Sequence, residues 1–234
     1  MVRKNKTIKE EQLIDWKSIG KSIGNMPWFV WALGLFVVAG VIFYFAGVLI
    51  SEKMNTFEYK NLAFTKEMYG KVLMYHYFYS FVNSAGEVVR YNVYLQNDPR
   101  TNPANYEGKI ELDTNKVYLS VDTTGLLGCP NSILAVGKMS EFLVSNEFKI
   151  TVAAPNLDSA NKNNVTVANC ETNPNNVVII MKSGNETKVT QQNRCFVIEA
   201  KDCQILESTE RFIVEGLAEA RARSVREGYS LDKK

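Results

Sequence analysis

Between Trp28 and Ile50 the chain reads WFVWALGLFVVAGVIFYFAGVLI without one charged residue, and a helix needs about 20 apolar residues to cross the hydrocarbon of a bilayer. The pattern predicts a transmembrane helix over 28–50. A secretory signal has a shorter apolar region, up to about 15 residues, and ends in a small-x-small cleavage site. This run ends Gly47-Val48-Leu49-Ile50-Ser51 and reads as an uncleaved anchor. Upstream, Leu13, Trp16, Ile19 and Ile23 recur at helical spacing among Asp15, Lys17 and Lys21, as in a helix lying at a lipid interface. Pro27 separates the two helices, and Trp28 and Trp31 suit the headgroup zone.

Downstream the period changes to two. Phe57 and Tyr59, then Leu62 and Phe64 beyond Lys60-Asn61, read as short strands. The run from Val72 to Val82 alternates Leu73, Tyr75, Tyr77, Tyr79 and Phe81 on one face, and Val89, Tyr91, Val93 and Leu95 follow the turn at 83–86. This predicts a hairpin with an aromatic face. His76, the single histidine, falls on the opposite face with Met74 and Phe78, in an ordinary sheet position with no local partners for a metal or a catalytic triad.

From Lys116 the pattern is mixed. It predicts a strand at 117–121, a helix over 130–146 with Ile133, Val136, Phe142 and Leu143 on one side, and a strand at 148–153, together a βαβ unit. A short helix or loop follows at 157–163. Then comes a strand at 177–181 turning at Ser183-Gly184 into 186–190, and another at 195–199. The last element is a helix over 204–227 that turns Leu206, Phe212, Ile213, Leu217 and Ala220 inward. The fold class is α/β: a segment with an interfacial helix (1–27), a transmembrane helix (28–50), a β-rich segment (51–115) and a mixed sheet with flanking helices (116–234).

Charge adds an orientation. Arg3, Lys4, Lys6, Lys9, Lys17 and Lys21 precede the apolar run, and only Lys53 and Lys60 follow it closely, which places the amino terminus in the cytoplasm and the rest outside. The net charge of +2 is spread along the chain and implies no nucleic-acid partner. Cys129, Cys170, Cys195 and Cys203 then lie in an oxidising compartment, where an even count fits two disulfides. Asn164-Val165-Thr166 and Asn185-Glu186-Thr187 are possible glycosylation acceptors on that side. Within the apolar run, Ala32, Ala39, Gly40, Ala46 and Gly47 form a seam of small residues that would admit a second membrane helix, from a copy or a partner, or simply face lipid.

Residues 116–228 resemble the thioredoxin-like superfamily in their order of elements. Cys129-Pro130-Asn131-Ser132 opens the first helix after the first strand, where that family carries Cys-Pro-x-Cys or Cys-Pro-x-Ser, and Asn173-Pro174 precedes VVIIMKSGNE much as the family's proline precedes its third strand. The chain departs from the pattern in having Ser132 for the second cysteine, in Pro174 standing two residues further from its strand, and in an extra strand around Cys195. The whole layout also resembles uncharacterised single-span envelope proteins of small archaeal genomes. The resemblance implies that Cys129, near the amino end of a helix, could be a thiolate nucleophile. Ser132, however, cannot resolve a disulfide. The other reading joins Cys129 to Cys170 and Cys195 to Cys203 as structural bridges. No phosphate-cradling loop, zinc-ligand spacing or nucleophile elbow occurs, so neither cofactor nor metal is implied. Three functions follow from the sequence: a membrane-anchored extracytoplasmic interaction or scaffold protein, a thiol-disulfide exchange protein using Cys129, or a single-span subunit of a membrane complex.

Overall fold

The computed structural model describes residues 28–226, apart from the side chains at 29 and 47–54. The interfacial helix expected at Leu13–Ile23 and the small residue Gly47 lie outside the described residues. The chain divides into two compact units, Met1–Met54 and Asn55–Lys234. In the first unit, helix α1 runs Trp28–Asn55. Its large apolar side chains, Trp28, Leu35, Phe36 and Phe43 among them, are exposed. A Cβ at Gly40 would meet open space. Among the described residues no helix is long and apolar enough to cross a membrane; the described side chains of α1 stop at Ala46, whereas the uncharged run continues to Ile50.

The second unit begins with an antiparallel meander of β1 (Thr56–Tyr59), β2 (Leu62–Tyr69), β3 (Val72–Val82) and β4 (Val88–Leu95), in that order. Lys60 and Asn61 take positive φ at the first turn. The β3–β4 register sets Tyr75 against Leu95, Tyr77 against Val93 and Tyr79 against Tyr91, so the alternating aromatic face is continuous across both strands and buries Tyr77, Val93 and Leu95. Side chains with a period of two can share one face in no other way.

A second sheet holds β5 (Asn105–Glu107), β6 (Lys116–Val121), β7 (Lys149–Ala154), β8 (Thr166–Val167), β9 (Val177–Ser183), β10 (Lys188–Gln192) and β11 (Cys195–Ala200), ordered β5-β10-β11-β9-β6-β7-β8. Helix α2 (Ser132–Ser145) joins β6 to β7, which run parallel, as the βαβ reading requires. A short α3 (Leu157–Asn163) follows β7, and α4 (Ile205–Arg226) closes the described chain. The chain turns after β9 into β10, but the two do not pair: β11 pairs with β9 in parallel and with β10 antiparallel, and so separates them. β9 is likewise parallel to β6. The strand directions are those of a five-strand parallel run, β8-β7-β6-β9-β11, extended by the antiparallel β10. The order reverses at β6, from which the chain moves outward to β7 and β8 and then returns to β9.

Segments 51–115 and 116–234 share one core. Alternate residues of the second sheet, such as Leu119, Ile179 and Ile198, join Met139 and Phe142 of α2, Phe212 of α4, and Phe64 and Tyr77 of the meander. Helices α2 and α4 are thus layered between the two sheets. Phe196 meets Phe212 edge to face at 5.6 Å, an arrangement aromatic rings prefer. On α4 the predicted Leu206, Phe212, Ile213 and Leu217 are buried, but Ala220 is exposed. On α2 the predicted Ile133 is 86% exposed, and the small Ala135 together with Met139 takes the inward position instead.

Gly216 sits within α4 without positive φ, and a Cβ there would meet Ile110 at 3.5 Å and Phe142 at 3.7 Å, ordinary contacts. Gly216→Ala is therefore expected to stabilise the domain by about 1 kcal/mol through helix propensity. Thermal unfolding checks this, with a rise of about 2–4 °C for a domain of this size. An unchanged or lower melting temperature would mean that the α2–α4 contact cannot accept a methyl group.

Candidate functional site

In an open α/β sheet, ligands favour the carboxyl ends of the parallel strands where the strand order reverses. Here that point lies between β6 and β9. Asp122, directly after β6, donates its backbone N–H to Met181 O of β9 at 2.9 Å. Its Oδ1 accepts from Gly125 N at 3.0 Å, Ser159 Oγ at 2.8 Å and Asn156 Nδ2 at 3.4 Å. Thr124 Oγ1 lies 2.6 Å from Ser159 Oγ. A Cβ at Gly125 would stand 2.3 Å from Asp122 Oδ2 and 2.7 Å from Ser183 Oγ, so the turn needs glycine. Partial burial works against ionisation of Asp122, but the hydrogen bonds from Gly125, Ser159, Asn156 and Thr124 outweigh it and hold the carboxyl below its ordinary value of 3.8. This cluster ties the β6–α2 turn to α3.

Because the folded-state value is depressed, the ionised Asp122 stabilises the protein above the unfolded-chain value, and that contribution is lost as pH falls through the folded value. Asp122→Asn is expected to destabilise the protein at pH 7 by about 1–2 kcal/mol, with the difference from wild type closing on acidification below pH ~4. Urea titrations at several pH values check this. A difference that stays constant over that range would assign the effect to shape alone.

The cysteines occupy the same end of the sheet and its far face. Cys129, in the β6–α2 loop, is bonded to Cys203, in the β11–α4 loop, and Cys170 is bonded to Cys195. The expected pairs Cys129–Cys170 and Cys195–Cys203 are not formed. Since β6, β9 and β11 run parallel, the loops after β6 and β11 emerge at one end, and the first bridge crosses the end of β9 that lies between them. Cys195 opens β11 and packs with Val178 and Ile180 on the face away from α2 and α4, where Cys170 meets it. Helix α2 starts at Ser132 rather than at Pro130, and Ser132 Oγ donates to Cys129 O at 2.8 Å. Cys129 therefore lies in the turn before the helix and carries no free thiol.

His76 occupies the sheet position expected of it. Its Nδ1 is 2.6 Å from Glu67 Oε1, its Nε2 3.0 Å from Asn92 Oδ1, and its ring stacks on Tyr94 at 4.5 Å. Among the described residues no group of His, Cys, Asp and Glu could hold a metal. Asn164, at the left-handed end of α3, and Asn185, between β9 and β10, are both exposed.

Two further features were not read from the sequence. The first is a set of buried charges on α4. Glu210 accepts from the backbone N–H groups of Gln96 and Asn97 at 2.7 and 2.9 Å and pairs with Lys138 at 3.3 Å. Arg211 donates to Ala104 O, Asn102 O and Tyr59 Oη at 2.9, 2.8 and 2.6 Å. Glu215 binds Lys60 at 2.6 Å. Together they fasten the meander and the 96–104 loop to α4. The second feature is a cavity of about 560 Å³ between β3, the end of α2 and the last turns of α4, lined by Tyr79, Phe81, Phe142, Phe148, Leu217 and Ala220 among others. Tyr79 Oη donates to Asn146 Oδ1 at 2.8 Å, and burial pushes its hydroxyl well above the ordinary value, so it stays protonated. Compared with family models, curated proteins and solved structures, the chain matches none.

Proposed function

We propose that the chain is a membrane-tethered, outward-facing interaction protein, whose disulfide-locked α/β domain presents a binding surface beyond the bilayer. The observation that carries this reading is the pairing of all four cysteines into two bridges, since such bridges persist in oxidising compartments. An exchange protein must return its nucleophile to a free or easily reduced state. Cys129 is instead held across the sheet end by a cysteine 74 positions away, and its near neighbour is the non-thiol Ser132. The tether is supported by the uncharged run from Trp28 to Ile50, by the excess of Lys and Arg before it, and by apolar side chains exposed along α1, since a helix apolar all round belongs in a core or a membrane.

Protease added outside intact cells is expected to remove the domain beyond Ser51 and leave a short membrane-protected fragment. A domain that survives until the membrane is permeabilised would reverse the orientation and remove the compartment argument for the bridges.

A further inference from the structure

We propose that the cavity between β3, α2 and α4 binds a small amphipathic anion, with an alkyl or aryl body among the aromatic side chains and an acidic head group at Arg221 and Arg223. The volume of about 560 Å³ falls within the range of small-molecule sites, about 300–1,000 Å³. Its body is apolar: Tyr79 and Phe81 from β3, Phe142 from α2, Phe148 and Leu217. Among the described residues its charge is of one sign, because Arg221 and Arg223 line it and no described carboxylate does. A guanidinium pair beside an apolar wall matches a carboxylate or phosphate attached to a hydrocarbon body, and a cation would be repelled by it.

The amphipathic pattern of α4 points to the same place. Ala220 continues the inward stripe of Phe212, Ile213 and Leu217, yet it is exposed where those three are buried. The stripe therefore extends past the part of the core that the described side chains fill, and its last turns face the cavity. This inference names a ligand chemistry for the interaction reading but does not depend on the membrane tether. Its failure would leave the cysteine pairing and the topology untouched.

The test uses the full chain in lipid nanodiscs with a photoreactive dodecanoate probe, competed by plain dodecanoate, followed by peptide mapping. The expected labels fall on peptides carrying 77–81 and 216–225 and disappear with competitor. Arg221→Gln with Arg223→Gln should weaken labelling about a hundredfold, since each of the two lost bonds to a charged group is worth about tenfold. Ala220→Trp, at an exposed position of α4, should abolish labelling by filling the cavity. A photoreactive dodecanol probe should label these peptides far less. Equal labelling by the alcohol, undiminished labelling of the Ala220→Trp variant, or label confined to α1 through simple partition into lipid would each overturn the proposal. So would labelling that arises only after residues 228–234 are deleted, which would assign the cavity to the chain's own end.

Discussion

Glu210→Ala is expected to destabilise the domain by about 3–5 kcal/mol, the range found when one partner of a buried charge pair is removed. Glu210 is 1% exposed, and its two oxygens satisfy the backbone N–H groups of Gln96 and Asn97, the Asn97 side-chain amide and the Lys138 ammonium. Alanine would leave two part-buried N–H groups without an acceptor and the largely buried Lys138 ammonium without its counter-charge, holding only its bond to Tyr94 O, and each unmatched buried group carries a penalty of about 1–3 kcal/mol. Glu210→Gln keeps one acceptor oxygen but points an amide N–H toward a donor, so it should lose less. Urea unfolding of the two variants measures both effects. A loss below about 1 kcal/mol for Glu210→Ala would show that the 96–104 loop is held by Arg211 and the shared core alone.

Removing the long bridge should have an effect of similar size. In the chain-entropy account, a crosslink stabilises by restricting the unfolded chain, and more so for longer loops. The sequence separations are 74 for Cys129–Cys203 and 25 for Cys170–Cys195, which correspond to about 4.5 and about 3.5 kcal/mol. Alanine is the right replacement in both pairs, because serine would place a hydroxyl at Cys195, which is buried beside Val178 and Ile180. Cys129→Ala with Cys203→Ala is expected to lower the denaturation midpoint more than Cys170→Ala with Cys195→Ala. The reverse order would mean that apolar packing around Cys195 outweighs loop length.

These two effects mark where the sequence stopped being legible. The inward face of the β3–β4 hairpin was readable because five alternating apolar residues, Leu73 to Phe81, share it, and the structure pairs Tyr77 with Val93 on that face. The burial of Phe212 and Leu217 was readable from a period near 3.6. β5 and β8, at 3 and 2 residues, are too short to show any period. The bridge partners depend on which loops emerge at the same sheet end, and that follows from β11 entering beside β9, a non-local fact with no local signature. Four cysteines allow three pairings. Ile133 misled because size was read as inwardness, whereas the close α2–α4 approach favours Ala135. Glu210, Arg211 and Glu215 looked like the solvent side of an amphipathic helix. They are buried because α4 is covered on two sides, by the second sheet through its apolar stripe and by the meander through its charges.

The central claim is that the outward domain is locked by Cys129–Cys203 and serves binding rather than thiol exchange. Its most direct test is cysteine mapping of the protein taken from its native membrane, with free thiols blocked before denaturation and peptides separated without reductant. The account predicts Cys129 linked to Cys203, Cys170 linked to Cys195, and no alkylation of Cys129 in the folded protein. Rapid alkylation of Cys129, or its recovery in mixed disulfides with other envelope proteins, would contradict it and make exchange chemistry the better account.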